Sequence, residues 1–495
     1  MPLLLIASIT CAGGLFLVCF IRYFFLKQKY TLPREDSVQD MKMPLPAPDF
    51  KGFVRRFSRM IQIPTVSWTD LSKRDISQFI RFQEELVDMY PRVHQIMTRE
   101  VCSEFGLIYH WKGRDPKKKP VLFLAHYDVV PAEEKGGEAW GRPPFSGLVE
   151  AGILWGRGTL DIKCQLAFQM ETAETLLEQD WTPDRDIYFA FGGDEEISGM
   201  EGAGNMAALF KKRGLEFEFI MDEGGIIARD QLAFLKGRPA ALIGLAEKGF
   251  VTFQIKATGE SGHSSMPALE GTAISRLAKG IVRLEKKPFP RRLDPVMANM
   301  LERFVPYVSL GLGLVFANLW LTRPLVLSIF SKNKSTDSLI RTTRAVTVCR
   351  AGEQENILPS EASCLVNHRI LPGDSIDGVR AYAQKALNDP GLEVFLAGTW
   401  LANDPLPAAD VGGRAFGLVQ NILAHTHSDV IAVPFLVNGS TDTKHYRDLT
   451  DQILRFTPLV LTPADVASIH GINEKVSLAN LEKGLEFYIR LFCHL

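Results

Sequence analysis

Cysteine is scarce in this chain, and its spacing excludes two kinds of architecture. The sequence has 495 residues and seven cysteines, and no two cysteines form a close CxxC pair. This spacing argues against a zinc site built from thiolates and against a dense disulfide framework. One or two disulfides would still fit a secreted chain, so the cysteines do not decide the redox compartment.

An excess of charge of either sign is also lacking. Lysine and arginine number 56, aspartate and glutamate number 57, and the formal net charge is -1. The chain has no basic tract of the kind that binds nucleic acid and no acidic tail of the kind that stays disordered. Internal repeats and low-complexity segments are lacking too. Length and composition therefore predict an ordinary globular protein of two domains, with no nucleic-acid partner.

The first residues carry almost no charge. From Pro2 to Ile21 the only ionisable side chains are cysteine thiols, and this run is near the ~20 residues that cross a bilayer. The apolar part of a signal peptide is typically shorter, about 7–15 residues. We interpret residues 1–30 as the signal peptide of a secreted, extracellular protein or, alternatively, as an uncleaved membrane anchor in the secretory pathway. Arg22 follows the run, and the positive-inside tendency argues weakly against a lumenal catalytic domain.

Strand and helix patterns alternate after residues 31–48, a linker that is rich in proline and charge. Short apolar runs such as Val121–Ala125 and Asp186–Phe191 predict buried strands, and Lys163–Glu178 predicts a helix between them. Alternation of this kind is typical of a mostly parallel α/β sheet. Near Lys248 the pattern changes to that of a small α+β unit. We therefore predict one α/β domain in two parts with this unit inserted, with the boundaries 49–247, 248–399 and 400–495.

Polar side chains follow several of these strands, where open α/β sheets place their ligands. The motifs concerned are His126-Tyr-Asp128, Gly156–Asp161, Gly193–Glu196, Asp222-Glu223 and, near the C-terminus, His470-Gly471. Three consecutive acids at the end of a buried strand repel one another and are costly to desolvate unless a cation compensates them. Each motif alone is more often a surface pair or a solvated turn. Together, on consecutive strand ends of one sheet, they indicate a metal site.

Divalent metal ions would supply the compensating charge. Histidine and carboxylate ligands suit Zn²⁺, and two zinc ions a few ångströms apart need roughly five or six protein ligands. That number is met by His126, Asp161, Glu196, Asp222 and His470. Glu195 is then a spare acid, which we predict to be the general base that activates the attacking water. Asp128 is predicted to orient the imidazole of the nearby histidine.

These motifs resemble the di-zinc amidohydrolase and metallopeptidase family of aminoacylases, carboxypeptidase S and related dipeptidases. The matching segments cover about residues 50–490 in the family's order. They are Leu124–Pro131, Trp155–Lys163, Asp194–Glu196, Met221–Gly225, Gly259–Ser265 and Ile469–Gly471. The resemblance implies two zinc ions per subunit, bridged by Asp161, and the same general base and ligands as above.

Further segments are shared with one group in this family, namely Ile61–Thr65, Phe145–Gly147, Ala246–Gly249, Ile340–Thr343 and His470–Lys475. By these segments the chain most resembles the enzymes that join fatty acids to amino acids and also split the products. The resemblance implies reversible hydrolysis and condensation of N-fatty-acyl amino acids, so fatty acids and amino acids are expected as further reactants. A short-chain aminoacylase and a carboxypeptidase-S-like exopeptidase are the alternatives, and they differ in the acyl pocket. A catalytically inactive binding protein is a further alternative, against which the intact Glu195 and ligand set argue.

By the same resemblance, residues 248–399 form a lid that often dimerises, so a homodimer is expected. His263 is expected to hydrogen-bond the tetrahedral oxyanion, and its alternative is a packing histidine in a Gly/Ser turn. Asn356 and Arg369 match positions that bind the substrate carboxylate, which a guanidinium fits bidentately. The alternative for the arginine is an exposed strand position. Thr441, in a segment similar to carboxypeptidase S, is included among the substrate-binding candidates.

A second long apolar stretch, Val305–Thr322, lies within the inserted unit and has no charged side chain. Its length would permit a membrane span, but Pro306 and Gly311 interrupt it. It is interpreted either as packed lid core or as an apolar groove or surface for an acyl chain, a lipid particle or a membrane surface.

Overall fold

The computed structural model describes residues 2–31, 45–132, 139–269, 271–397 and 402–495, with side chains from residue 13 onward. Residue 1, the first side chains of the predicted leader and most of the predicted linker lie outside the described residues.

Helices account for much of the described chain. They are α1 Pro2–Tyr30, α2 Phe50–Ile61, α3 Ile76–Met89, α4 Pro91–Ile96, α5 Lys163–Leu177, α6 Asn205–Lys212, α7 Ala273–Glu285, α8 Pro295–Arg303, α9 Leu310–Ala317, α10 Leu319–Phe330, α11 Lys334–Ser338, α12 Ile376–Leu387, α13 Arg414–Thr426, α14 Pro463–Ser468 and α15 Leu478–Cys493. Several begin at side-chain caps. Asp75 accepts a hydrogen bond from the Ser77 N–H at the start of α3, and Thr272 does the same for Ser275 in α7. Such caps satisfy N–H groups that have no partner within the helix.

The strands form two main sheets and two small ones. They are β1 Thr98–Cys102, β2 Gly106–Trp111, β3 Val121–His126, β4 Val149–Glu150, β5 Ile153–Trp155, β6 Ile187–Gly192, β7 Ile220–Asp222, β8 Ile227–Ala228, β9 Ala240–Glu247, β10 Gly249–Thr258, β11 Gly262–His263, β12 Thr343–Ala351, β13 Ile357–Leu358, β14 Glu361–Ile370, β15 Leu392–Leu396, β16 Ile431–Val437, β17 Ile453–Arg455, β18 Val460–Leu461 and β19 Lys475–Ser477.

The larger sheet has ten strands in the order β1-β2-β6-β3-β7-β17-β9-β8-β18, with β16 beside β9. The central strands β6, β3, β7 and β17 are parallel, whereas β1, β2 and the contacts of β9 with β8 and β17 are antiparallel. The α/β class is therefore confirmed, and the sheet is mixed. Every residue of β3 is buried, because helices cover both faces of the sheet. This explains the unbroken apolar run in the sequence.

The inserted lid is a four-stranded antiparallel sheet in the order β12-β14-β10-β15, covered by α7 and α12. Its apolar core, which includes Val251, Phe253 and Val366, is separate from the core of the main domain. The chain enters the lid directly from β9 through Lys248, a buried residue whose ammonium donates to the carbonyls of Ser338 and Arg341.

The helices α8–α11, here called the inserted helices, do not pack into the lid core. Met297, Phe304 and Phe316 belong to the core of the main domain, together with Tyr23 and Leu26 of α1. The predicted unit 248–399 therefore divides into the lid proper and a helical segment that covers the main domain beside β16. Among the described residues no single helix is long and apolar enough to cross a membrane. The pair α9–α10, bent by 112°, meets that length and composition only when its helices are taken together.

Candidate active site

The polar cluster predicted from the sequence lies at one edge of the larger sheet. His126 is the last residue of β3, Glu195 and Glu196 follow β6, and Asp222 ends β7. These three strands are parallel neighbours. Because parallel strands end at the same edge of a sheet, their terminal side chains meet there.

Asp161 lies between the two histidines of this cluster. Its Oδ1 is 3.2 Å from Nε2 of His126, and its Oδ2 is 2.9 Å from Nε2 of His470. Oε2 of Glu196 is 3.2 Å from the same nitrogen of His470. One ligand atom each of His126, Asp161 and Glu196 lies within 4.8 Å of the others. The structure thus brings together four of the five predicted metal ligands, with one carboxylate facing both histidines.

Asp222, the fifth predicted metal ligand, is followed directly by a second acid, Glu223, that also faces the cluster. Asp222 is buried, and its Oδ2 has no hydrogen-bond partner among the described residues. Glu223 places Oε1 at 3.3 Å from Nε2 of His126, and it forms a second group of possible ligands with His126 and Glu195. Glu223 had no role predicted from the sequence. Its position beside Asp222 at the strand end was the signal for it.

The donor set suits metal ions. Oε1 of Glu196 and Oδ2 of Asp222 are buried without hydrogen-bond partners, which is costly for a carboxylate unless a cation satisfies it. Imidazole nitrogens and carboxylate oxygens are ligands that Zn²⁺ prefers. The residues present therefore fit a metal centre at this edge of the sheet.

Burial and close charges strongly perturb the cluster. Desolvation raises the pKa of both Glu195 and Glu196 to about 8. Burial also opposes ionisation of Asp161, but hydrogen bonds from the two histidines hold its pKa below the usual value. Hydrogen bonds to Asp161 and Glu196 raise the pKa of His470 to about 10. Burial opposes the charged form of His126, yet its acidic neighbours raise its pKa well above the usual value.

Asp128 positions both a histidine and the acidic turn. It is completely buried, and its carboxylate accepts hydrogen bonds from the backbone N–H groups of Glu195 and Glu196, each at 3.2 Å. The Ser67 hydroxyl donates to it at 2.7 Å. Its Oδ1 is 3.3 Å from Nδ1 of His126. The structure therefore places Asp128 beside the imidazole as predicted and shows that it also fixes the turn that carries the predicted base.

A buried glutamate that the sequence analysis did not single out holds the loop of Asp161. Glu474 is 0% exposed, and its Oε1 accepts hydrogen bonds from the N–H groups of Gly158, Leu160 and Asp161. Its Oε2 accepts one from Arg157 at 2.7 Å. Glu474 follows His470 by four residues and so connects the two segments that supply ligands. The contact joins residues more than 300 positions apart, so no local pattern in the sequence predicts it.

Lys163 is a second buried residue that the sequence analysis left unassigned. Its ammonium donates to the carbonyls of Met60 at 3.0 Å and Ile63 at 2.7 Å. Burial lowers its pKa to about 7. It thereby connects the start of α5, just after Asp161, to the end of α2.

Two lid candidates lie together at the tip of the lid. His263 in β11 pairs with Ile357 in β13, and the backbone carbonyl of Asn356 accepts a hydrogen bond from Ser264. Both candidate side chains are exposed, and Nδ1 of His263 accepts a hydrogen bond from the Ser265 hydroxyl. The structure brings these two residues together, and among the described residues neither side chain forms a hydrogen bond or ion pair with the acidic cluster.

Arg369 lies at the other end of the lid sheet. It pairs with Phe250 at the start of β10, and its guanidinium lies 4.7 Å from the centre of that ring. Glu361, at the tip end of β14, is about 26 Å away along an extended strand. The structure therefore separates Arg369 from Asn356 within one chain and places it near the junction with the main domain.

Thr441 is buried in a polar network rather than exposed to substrate. Its hydroxyl donates to Oε2 of Glu247 at 2.9 Å. The same oxygen accepts a hydrogen bond from Nε of Arg455 at 2.6 Å. This pair is almost fully buried, and a buried ion pair needs such additional hydrogen bonds. The hydroxyl of Thr441 is thus already used to support Glu247.

Residues 122–494 match the sequence model of peptidase family M20/M25/M40. A probable carboxypeptidase S-like 2 of Dictyostelium discoideum is 34% identical over 441 residues, covering 88% of this chain and 84% of that protein. The N-fatty-acyl-amino acid synthase/hydrolase of Bos taurus is 36% identical over 434 residues, covering 86% of this chain and 84% of that protein.

Solved structures support the fold. An M20 family metallo-carboxypeptidase from Sulfolobus solfataricus aligns with a TM-score of 0.65 at 17% identity, covering 90% of this chain and 99% of that one. Human carnosine dipeptidase 1 aligns with a TM-score of 0.60 at 16% identity, covering 93% of this chain and 99% of that one.

The chain belongs to the M20/M25/M40 family of peptidases. It is a metallopeptidase-like hydrolytic enzyme, and the family's metal dependence agrees with the cluster around His126.

Proposed function

We propose that this enzyme uses two zinc ions to hydrolyse, and by mass action to form, the amide bond between a fatty acid and an amino acid. The observation that carries the hydrolytic part is the convergence of His126, Asp161, Glu196 and His470 beside a buried spare acid, Glu195. The substrate class is supported by the 36% identity to a protein named as an N-fatty-acyl-amino acid synthase/hydrolase.

Asp161 would help to hold both ions, because its two oxygens face different histidines. With Glu196 and His470 it would hold one ion. With His126 and either Asp222 or Glu223 it would hold the other. Zinc supplies Lewis acidity that polarises the scissile carbonyl and favours water as a nucleophile near neutral pH.

Glu195 is the proposed general base. Its Oε2 is 4.0 Å from Nε2 of His126, so its carboxylate lies beside the proposed metal ligands, within reach of a water at the centre. It takes a proton from the attacking water and then gives it to the leaving amino group. Asp128 keeps the base in position through the backbone of the acidic turn. The same groups act in reverse order when the amide forms.

The lid residues are proposed to contact the substrate. Arg369 would pair with the free carboxylate of the amino acid, since its guanidinium is half-buried at the junction of the domains. His263 would donate to the oxyanion. That role requires the lid tip to approach the cluster, within one chain or from the second copy of a homodimer.

A carboxypeptidase-S-like peptidase is the second candidate. The 34% identity to the Dictyostelium protein extends over as much of the chain as the identity to the bovine one. The two functions share the metal cluster and the carboxylate contact, so they differ in what the acyl side of the site accepts.

One set of assays tests the proposal. The purified chain is analysed for bound metal, and kcat/KM is measured on oleoyl-phenylalanine, acetyl-phenylalanine and a dipeptide. We expect zinc near two equivalents, loss of activity with a chelator, and preference for the oleoyl substrate. Each CH₂ that is buried should add about 0.8 kcal/mol, roughly fourfold. Activity without metal would contradict the mechanism, and preference for the dipeptide would select the peptidase.

The Arg369→Met variant tests the carboxylate contact. It should raise KM for acyl amino acids by roughly 30-fold, because truncating one partner of a buried charge pair costs about 2 kcal/mol or more. The matching amino-acid amides lack that charge and should be affected far less. Arg350→Met, at an exposed position of the neighbouring strand β12, is the control. Equal losses on acids and amides would show that the arginine serves the fold of the lid.

A further inference from the structure

The N-terminal helix and the inserted helices are packed into one unit. The Arg22 guanidinium pairs with Glu302 at 2.7 Å and donates to the carbonyl of Ala317. Asn318 donates to the carbonyl of Cys19 at 3.2 Å. Tyr23 is buried in the same core. Helix α1 is therefore held against α8–α10 along its C-terminal half.

This unit exposes a continuous apolar patch. On α1 it includes Leu15 and Phe16, and on α10 it includes Trp320, Leu321, Leu325 and Ile329. Phe16 is 69% exposed and Trp320 is 55% exposed. The last three residues are spaced by four, so they form one stripe along α10. Leu15, Phe16 and Leu321 line a common apolar groove of about 210 Å³, which joins the two helices into one surface.

Hydrogen bonds within the inserted helices satisfy polar groups at the break between α9 and α10. At the 112° bend, Asn318 donates to the carbonyl of Leu314 and accepts from the indole of Trp320. The hydroxyl of Thr322 donates to the carbonyls of Val315 and Asn318. Backbone groups freed at a bend must find internal partners where no water is present. Asn318 is 1% exposed, so the bend is buried in the protein, and its hydrogen bond to Cys19 holds it against α1.

The chain segments that carry the patch contain basic residues and no acidic ones. Between residues 304 and 336 the sequence contains no acid, while Arg323, Lys332 and Lys334 are basic and exposed. Residues 1–34 also contain no acid, and Lys27 and Lys29 of α1 are exposed. Basic residues beside an apolar surface complement anionic lipid headgroups.

We infer that α1 and the bent pair α9–α10 together dock this enzyme on a lipid bilayer, with the apolar patch inserted in the leaflet that α1 enters. Leu15 and Phe16 of the patch belong to the uncharged run Pro2–Ile21. The groove itself is smaller than a usual pocket for a small ligand, about 300–1,000 Å³. Exposed large apolar side chains grouped on two adjoining helices mark an interaction site. This inference is independent of the substrate proposed above.

Quenching of tryptophan fluorescence by brominated lipids tests the docking of α10 separately from that of α1. The full-length chain is bound to phosphatidylcholine vesicles, with and without phosphatidylserine, and binding is checked by flotation. Of the seven tryptophans, Trp320 is the one in the inserted helices. Brominated lipid should quench the wild-type chain, and the Trp320→Phe variant should lose most of that quenching. Trp68→Phe, in the main domain, is the matched control and should retain it.

A charged pair on the stripe gives a second variant. Leu325→Glu with Ile329→Glu should leave the thermal melt unchanged, because both side chains are about half exposed, and should abolish quenching of Trp320. Ile80→Glu with Val87→Glu, exposed on α3 of the main domain, should have no effect. Phosphatidylserine should strengthen the wild-type signal at low salt.

Three results would overturn the inference. The first is equal quenching of the wild type and Trp320→Phe on vesicles that both proteins bind. The second is quenching on emulsion droplets but not on bilayers, which would assign the patch to a lipid particle. The third is a dimer in the absence of lipid that the Leu325→Glu, Ile329→Glu variant dissociates, which would assign the patch to a second copy.

Discussion

The Glu195→Gln variant should lose most of its turnover and keep its metal. Glutamine has nearly the same shape but cannot take a proton from water, and loss of general base catalysis typically costs about 10²–10⁴-fold. The cluster of His126, Asp161, Glu196 and His470 remains intact in this variant. The measurement is kcat on an acyl amino acid, beside zinc content and a thermal melt of the same preparation.

Two further variants serve as comparisons. One removes a predicted metal ligand, and the other removes a negative charge that has no predicted role. Glu196→Gln should lower zinc content as well as kcat, because Glu196 is a predicted zinc ligand. Its Oε2 lies 3.2 Å from Nε2 of His470, another predicted ligand. Glu201→Gln removes a nearby negative charge in the sequence whose side chain is exposed and pairs with Arg74, so its kinetics should match the wild type. A near-wild-type kcat in zinc-loaded Glu195→Gln would refute the assignment of the base.

Much of the cluster was predictable because strand ends are visible in a sequence. An apolar run such as Val121–Ala125 marks a buried strand, and the first polar residue after it, His126, is placed at the sheet edge by chain geometry alone. The choice between Asp222 and Glu223 was not predictable in this way. Strand β7 ends at Asp222, so the alternation of side chains no longer decides which acid turns toward the cluster.

The packing of the inserted helices is a second feature that could not be predicted from the sequence. Their apolar composition is equally compatible with a lid core, a groove or a surface. The location of these helices is decided by contacts with residues far away in the chain, such as Arg22 with Glu302 and Asn318 with Cys19. Such long-range packing leaves no local periodicity in a single sequence. The mixed character of the sheet has the same origin, because the direction of β9 depends on its neighbours β8 and β17.

The position of Arg369 relative to Asn356 is a third feature that could not be predicted from the sequence. Motif resemblance grouped it with Asn356 as one carboxylate site, but the long strand β14 separates the two within a single chain. Spacing along a sequence gives the distance between residues only when the secondary structure between them is known. A carboxylate contact by both would need a second copy of the lid.

The Glu474→Ala variant should bind metal more weakly and unfold at a lower temperature. Three backbone N–H groups of the Asp161 loop and the guanidinium of Arg157 would lose a buried acceptor. Removing one partner of a buried ion pair costs about 3–5 kcal/mol, since the other charge stays buried and unpaired. For a domain of this size each kcal/mol corresponds to roughly 2–4 °C in Tm. The measurements are a thermal melt and a zinc titration well below the transition.

Glu474→Gln distinguishes positioning of the metal loop from a purely structural role. Its amide oxygen can still accept hydrogen bonds from Gly158 and Leu160 but offers no charge to Arg157. We therefore expect zinc affinity to recover further than Tm does, because the affinity depends on where the loop holds Asp161. Glu482→Gln, an exposed position on α15, is the control and should change neither quantity. If Glu474→Ala lowered Tm but bound zinc as tightly as the wild type, the glutamate would stabilise the fold without positioning the ligand.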